Sequence, residues 1–257
     1  MGSGHAIAAG TRTPAPDVSR GAASRVGIAP VTAAGVGVRY GNVSAVRLAS
    51  FRVTSTELSC GALGMVTQRS AACATLIDLL SGRVSPSYGE LHVLGHDMRT
   101  PRGRTLVRRQ TGVASSHARH PMNPRIRALV DHAARSFIQA GTERPLLVAA
   151  IIDRLDLEPW AEVPLHAAPE LVARKARLAA ACVHQPKLLL VDGILDHLHG
   201  RDLATLADIV KDLERDAAVI AFGVDAEPLM LACQQVLTLA GGVVTDIAPP
   251  HALPILH

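Results

Sequence analysis

Two hydrophobic periodicities alternate along this chain, and their order predicts a mixed α/β fold. Runs rich in valine, leucine and alanine between turn residues predict strands at residues 35–41, 44–53, 58–66, 90–94, 111–114, 187–191, 218–222, 236–239 and 243–246. Apolar residues that recur every three or four positions predict helices over residues 71–80, 103–109, 127–140, 146–157, 170–184 and 202–215. Strands that alternate with helices favour a mostly parallel sheet. The helices between residues 127 and 184 are predicted to form a helical insert.

The stretch from residue 58 to residue 82 is a predicted strand, loop and helix, the layout of a phosphate-binding loop. Such a loop places an anion at a helix N-terminus and has the pattern G-x-x-x-x-G-K-[ST]. The same register here contains Thr67, Ala72, Cys73 and Ala74, and Thr75 leaves an alternative register open by one position. Arg69, inside the loop, is either an anion ligand or a solvated side chain. The loop therefore has the expected layout without the expected lysine.

Amino-acid composition says more about the core and the cellular location of the protein than about any reaction that it catalyses. The 257 residues are 48% hydrophobic but only 2% aromatic, which predicts a core of aliphatic side chains and alanine. No apolar run reaches the ~20 residues that a membrane-spanning helix needs. The 4 cysteines form no C-x-x-C pair, and the paired histidines lack a carboxylate or thiolate, so we expect no metal site. With no secretory signal, we expect a cytoplasmic protein.

Positive charge is concentrated in one segment that contains no Asp or Glu. Its arginines are Arg99, Arg102, Arg104, Arg108, Arg109, Arg119, Arg125 and Arg127. Such a block is either a solvated face or a patch for an anionic partner: lipid head groups, an acidic protein surface or nucleic acid. No aromatic side chain is interleaved with these arginines to stack on bases, which disfavours nucleic acid.

The order of several short segments resembles the ATP-binding cassette (ABC) ATPases, the nucleotide-binding subunits of membrane transporters. The segments are VRYG at 38–41, PSYGELHVLGHD at 86–97, RRQTGV at 108–113, HQPKLLLVD at 184–192 and LTLAGG at 237–242. The resemblance covers roughly residues 30–247 and is closest to exporters that pair with a separate permease chain. It implies a P-loop NTPase-like, mostly parallel sheet with an antiparallel β subdomain and an α-helical insert. Residues 29–257 would form this domain, with the helical subdomain at about 115–185, after a disordered leader at 1–28.

The resemblance also assigns positions to a nucleotide site, and most of them carry the wrong residue. Tyr40 stands where an aromatic ring stacks on adenine, and Asp192 keeps the carboxylate at the end of an apolar strand. The LSGGQ signature corresponds to residues 168–172, APELV, which places the carboxylate of Glu170 near phosphate. The replaced positions are Cys73 for the phosphate-loop lysine, Ala74 for the magnesium-binding hydroxyl, Ser116 for a glutamine, Gly193 for the catalytic glutamate and Val224 for the switch histidine.

These replacements predict a pseudo-ATPase without catalytic residues. At the N-terminus of a helix, the Cys73 thiol is either activated by a depressed pKa or buried and inert. The first hypothesis is a degenerate subunit at the inner face of the plasma membrane, bound to a permease and to an active ATPase partner or a second copy of itself. The second is a weak ATP-binding subunit of a composite site that a partner completes, the only case in which ATP and magnesium are expected. The third is a soluble scaffold that binds an acidic partner.

Overall fold

The computed structural model describes residues 29–53, 55, 60–68, 71–118, 122–139 and 141–246. The predicted leader at 1–28, the predicted strand start at Leu58, and Arg69 and Arg119 lie outside these residues. Within the described part of the chain, no helix is both long enough and apolar enough to cross a membrane.

Four strands form an antiparallel sheet in the order β2-β1-β4-β5. They are β1 (Val31–Tyr40), β2 (Val43–Val53), β4 (Tyr88–Val93) and β5 (His96–Asp97). The tight connection between β1 and β2 needs a residue with positive φ, and Gly41 supplies it at +59°.

A second, six-stranded sheet has the order β10-β9-β3-β8-β7-β6. Its strands are β3 (Ala62–Thr67), β6 (Thr111–Ser115), β7 (Leu188–Asp192), β8 (Ala218–Gly223), β9 (Gln235–Ala240) and β10 (Val243–Asp246). All neighbours pair in parallel except β9 and β10, so the expected mostly parallel sheet is confirmed. The carboxyl ends of β3, β6, β7 and β8 therefore meet at one edge.

The helices are α1 (Ala71–Leu80), α2 (Pro101–Arg109), α3 (Ile126–Arg135), α4 (Glu143–Arg154), α5 (Glu170–Cys182), α6 (Gly200–Leu213) and α7 (Ala226–Ala232). Helix α1 has the predicted bounds. The predicted extension of α3 to residue 140 is wrong, because the amides of Ser136 and Phe137 already bond to carbonyls three residues back. Helix α5 ends before the predicted residue 184, since Gln185 has φ +52° and Pro186 follows.

Both faces of the six-stranded sheet are covered, which explains why β7 is apolar at every position but its last. Leu188 and Leu190 belong to one buried cluster, with α1 and the antiparallel sheet. Leu189 and Val191 belong to the other, with helices α3 to α6. Side chains alternate between the faces of a strand, so a strand buried on both sides carries no polar face. The parallel strands are therefore enclosed between two hydrophobic clusters.

Candidate functional site

The carboxyl edge of the parallel sheet collects most of the residues assigned to the nucleotide site. Thr67 ends β3, Asp192 ends β7, and Ser116 and Val224 follow β6 and β8 directly. Ligands of open α/β sheets bind at this edge. Tyr40 is at the end of β1 in the other sheet, opposite Val43, and its side chain is exposed.

The residues that the structure describes on either side of the phosphate loop, up to residue 68 and from residue 71, carry no positively charged side chain in the assigned positions. Thr67 is buried, and its hydroxyl donates to the carbonyl of Gln68 at 3.0 Å. In helix α1, Ala72 is half-buried, Ala74 is exposed and Thr75 is buried. None of these side chains offers the positive charge that a phosphate needs.

Cys73 lies in the first turn of α1, and its side chain is buried. Burial, together with the nearby carboxylates of Asp192 and Asp196, raises the pKa of the Cys73 thiol to about 12. The alternative of a depressed pKa at the helix N-terminus is therefore wrong, because desolvation and two nearby negative charges outweigh the helix dipole. The thiol is therefore neutral at pH 7, and two carboxylates lie close enough to affect its pKa.

Asp192 is held in place by β6. The hydroxyl of Ser115 donates to Asp192 Oδ2 at 2.7 Å, and the amide of His117 donates to the same hydroxyl oxygen at 3.2 Å. Ser115 was missed by the sequence analysis. The sequence feature that could have identified Ser115 is its place at the end of a strand that pairs with β7. The register that puts Ser115 opposite Asp192, however, is decided by the fold.

The space beside Gly193 is filled. Gly193 has φ +65°, and a β-carbon built on it would lie 2.6 Å from both Ser116 Oγ and His117 Nε2. These two side chains also contact each other, with Ser116 Oγ 3.1 Å from His117 Nε2. A side chain at position 193, where the resemblance expects a glutamate, therefore requires both neighbours to move. The role of His117 was also missed by the sequence analysis, because nothing local relates it to position 193.

Gly193→Ala should lower the free energy of unfolding by about 1–2 kcal/mol for the left-handed backbone and by a further ~1–3 kcal/mol for crowding. Gly41→Ala is the matched control, because Gly41 has φ +59° and no atom within 4 Å of its built β-carbon. Urea denaturation of both variants measures the difference. Equal losses for the two variants would show that the space beside Gly193 is open.

Val224, which follows β8 and stands where the resemblance expects the switch histidine, makes a hydrogen bond through its backbone. The amide of Val224 donates to Asp196 Oδ1 at 3.0 Å, and Asp196 is buried. The buried guanidinium of Arg174 donates to the carbonyls of Ile194 and Asp196 at 2.7 and 2.6 Å. Arg174 thereby connects helix α5 to the turn that follows β7.

Glu170 has a partner within its own helix. Its carboxylate accepts a hydrogen bond from Arg174 Nε at 2.6 Å. The sequence analysis missed Arg174, because an arginine in an amphipathic helix usually marks the solvated face. Instead, this arginine links the segment at the LSGGQ position to the turn after β7.

No family model matches the chain. In sequence, the chain is 22% identical to the phosphonates import ATP-binding protein PhnC of Rhizobium meliloti (strain 1021) over 227 residues, covering 84% of this chain and 80% of that protein. It is 25% identical to the Nod factor export ATP-binding protein I of Rhizobium leguminosarum bv. viciae over 159 residues, covering 62% of this chain and 49% of that protein.

Comparison with solved structures identifies the fold. An inward-facing putative metal-chelate type ABC transporter matches with a TM-score of 0.70 at 15% identity, covering 85% of this chain and 82% of that one. An ATP-binding subunit of an ABC transporter matches with a TM-score of 0.68 at 14% identity, covering 83% and 87%. The chain has the ABC ATPase fold. The cbiO1 protein of Clostridium perfringens, part of the ABC transporter complex cbiONQ, agrees with a TM-score of 0.67 at 16% identity, covering 84% of this chain and 86% of that one.

In this ABC ATPase fold, the described residues provide no cationic partner for the two acids at the carboxyl edge of the sheet. Among the described residues, no lysine or arginine side chain forms an ion pair with Asp192 or Asp196. The same part of the chain contains no cluster of three or more histidine, cysteine or acidic residues that could hold a metal ion. In the described part of the chain, this edge therefore carries two carboxylates, small hydroxyls, a neutral thiol and the His117 imidazole, with the Arg174 guanidinium bound to carbonyls of the turn after β7.

The arginine block is divided in three dimensions. Arg99 pairs with Asp97 at 2.9 Å, while Arg125 and Arg127 pair with Glu158 and Glu162. Acidic residues from elsewhere in the chain thus neutralise both ends of the block. Arg102, Arg108 and Arg109 are exposed, and no ion pair joins them to the described residues. Among the described arginines of the block, the uncompensated positive charge therefore lies on α2.

Proposed function

We propose that this chain is a structural or regulatory subunit of an ABC transporter, which docks on a membrane permease and neither binds nor hydrolyses ATP. The ABC ATPase fold and the similarity to ATP-binding subunits support the transporter assignment. The observation that carries the proposed loss of nucleotide is the buried, neutral thiol of Cys73, at the position where the resemblance expects a lysine.

Electrostatics opposes phosphate binding at this edge. A phosphate chain is anionic, and Asp192 and Asp196 are close enough to raise the pKa of Cys73. Each charge-assisted hydrogen bond to phosphate contributes roughly 1.5–3 kcal/mol. The loss of three such bonds would weaken binding by about a thousandfold or more. The remaining carboxylates add repulsion where the lysine would add attraction.

Hydrolysis has a second obstacle at Gly193. A positioned general base contributes roughly 10²–10⁴ in rate. Gly193 has no side chain to act as one, and Ser116 and His117 occupy the adjacent space. Position 193 therefore offers no group that activates an attacking water.

The partner assignment follows from the fold and the relatives. The cbiO1 protein is part of an ABC transporter complex, and we assign this chain an equivalent place on a permease. The nucleotide-binding partner would be an active ATPase subunit or a second copy of the chain, with peripheral location at the inner face of the plasma membrane. Co-sedimentation of the full chain with and without membranes that contain the permease of its gene neighbourhood tests this placement. A chain that stays in the supernatant in both cases would instead favour the soluble scaffold.

Calorimetric titration of the full chain with magnesium and ATP should show no saturable heat up to millimolar nucleotide. Micromolar affinity would contradict the proposed loss of nucleotide binding. The Cys73→Lys/Ala74→Ser variant is the informative comparison, because it restores a cation and a hydroxyl beside Asp192. We expect this variant to bind more tightly than the natural chain, provided that circular dichroism shows the same fold.

One observation favours a second candidate, a composite ATPase site that a partner completes. Asp192 is held in a defined position by Ser115, as a residue that contacts bound magnesium would be. In that case the complex with its ATPase partner would lose turnover on Asp192→Asn. An unchanged rate would remove the composite site and leave the structural subunit.

A further inference from the structure

A cavity of about 690 Å³ lies at the amino edge of the parallel sheet, opposite to the edge that carries the nucleotide-site residues. Two of its lining residues, Lys187 and Ala217, directly precede β7 and β8, and Cys60 lies shortly before β3. The end of α4, the segment after α5 and the end of α6 complete its walls. Small-molecule sites usually have volumes of roughly 300–1,000 Å³. The cavity is therefore large enough for a small ligand.

Most of the cavity wall is aliphatic. Leu147 and Ile151 belong to α4, Leu189 belongs to β7, and Leu213 ends α6. All but Leu147 are buried in the cluster that packs the helices against the sheet, and Leu147 packs on that cluster. The thiol of Cys182 adds no charge to the wall, because burial raises its pKa to about 12. An apolar ligand group that enters the cavity therefore contacts side chains of the hydrophobic core.

The charged side chains around the cavity compensate one another with a single exception. Arg154 pairs with Asp212 at 2.7 Å and with Asp216 at 2.6 Å, and Arg215 pairs with Asp212 at 3.2 Å. Two arginines thus face two aspartates. Lys187 is exposed, and no ion pair joins it to the described residues. The rim of the cavity therefore has one uncompensated positive charge.

Lys187 and Cys60 line the same part of the cavity. Burial raises the pKa of the Cys60 thiol, and the positive charge of Lys187 opposes this shift. The lysine ammonium is thus close enough to interact with a group inside the cavity. An ammonium on a flexible stem can reach a carboxylate by rotation of its own side chain.

We propose that this cavity binds a small amphipathic monoanion, a carboxylate with a saturated apolar chain. The carboxylate pairs with Lys187, and the chain lies against Leu147, Ile151 and Leu189. This ligand site goes beyond the proposed docking function and is independent of it, because the cavity shares no residue with the nucleotide site.

The lining residues discriminate between ligand classes. A ligand with several negative charges fits less well, because Asp216 lines the same cavity and only one cation is uncompensated. A flat aromatic ligand finds no ring to stack on, since no aromatic side chain is among the described residues of the lining. A saturated chain needs neither feature, because burial of apolar surface is non-directional.

The probe is octanoate, titrated into the full chain by isothermal titration calorimetry at neutral pH. We expect saturable binding that Lys187→Met weakens about 10-fold, the lower end for one charge-assisted contact. Butyrate keeps the carboxylate but has a shorter chain, and it should bind about 100-fold more weakly than octanoate. Octanol keeps the chain without the charge, so Lys187→Met should leave its binding unchanged. Lys211→Met is the matched control, since Lys211 is an exposed lysine outside the cavity.

A second pair of variants tests the location without removing charge. Ala150 and Ala149 are neighbouring, exposed residues of α4, but only Ala150 lines the cavity. Ala150→Phe should abolish octanoate binding by filling the cavity, whereas Ala149→Phe should bind as the natural chain does. Circular dichroism establishes that both variants keep the fold.

Three outcomes would overturn the site. The first is the absence of saturable octanoate binding to the natural chain. The second is an equal loss in Lys187→Met and Lys211→Met, which would show diffuse charge attraction. The third is binding that survives Ala150→Phe, which would place octanoate elsewhere on the chain. All three leave the proposed docking on a permease standing, because that proposal is tested by co-sedimentation.

Discussion

Replacing Arg174 with methionine should lower the free energy of unfolding by about 2–6 kcal/mol, the cost of leaving two buried carbonyl acceptors without their donor. The Arg174 guanidinium is buried and donates to the carbonyls of Ile194 and Asp196. Methionine keeps much of the side-chain volume but leaves both buried carbonyls without this donor. Each unsatisfied buried acceptor costs roughly 1–3 kcal/mol. The measurement is urea denaturation followed by far-ultraviolet circular dichroism.

Two further variants identify the source of that loss. Glu170→Ala removes the exposed partner of the ion pair and should cost at most about 1 kcal/mol, because the Glu170 carboxylate is largely solvated. Arg174→Lys keeps the charge but cannot reach both carbonyls with one planar group, so we expect an intermediate loss. If Glu170→Ala were as damaging as Arg174→Met, the ion pair and not the carbonyl contacts would hold α5 against the turn after β7.

The Cys73 thiol should react with a disulfide reagent at pH 8 about a thousandfold more slowly in the folded chain than in urea, because its thiolate fraction is that much smaller. The pKa of this thiol rises from 9.0 to about 12 on folding. A chain with Cys60→Ala, Cys182→Ala and Cys233→Ala isolates the reaction of Cys73. The absorbance of the released thiolate measures the rate in each state.

The direction of the pH dependence follows from the same shift. Below pH 9 the thiol is protonated in both states, and between pH 9 and about 12 only the unfolded chain loses the proton. Folded reactivity should therefore keep rising above pH 9, where reactivity in urea has levelled off. Asp192→Asn should increase the folded rate, since the Asp192 carboxylate contributes to the raised pKa. Equal rates in the folded and unfolded chain would mean that Cys73 is an exposed thiol with an ordinary pKa, and a faster folded rate would mean an activated one.

The sequence predicted the fold well where local pattern decides structure. The bounds of α1 are as predicted, and the apolar run at residues 187–191 falls on β7 with a shift of one residue. Hydrophobic periodicity succeeds here because the burial of one or both faces of an element determines which of its neighbouring positions are apolar. It was less successful at helix ends, where α3 stops at Arg135 through local hydrogen bonds that hydrophobic periodicity does not encode.

The sequence by itself shows Cys73, Ala74 and Gly193 at the positions where the resemblance expects a lysine, a hydroxyl and a glutamate. Only the tertiary structure shows which residues surround these positions. The register of β6 against β7 brings Ser115 to Asp192, and the packing of α5 against the turn after β7 brings Arg174 to Asp196. These contacts join residues 77 and 22 positions apart. Local periodicity records whether a side chain is buried, whereas strand register and helix packing decide which polar group it meets.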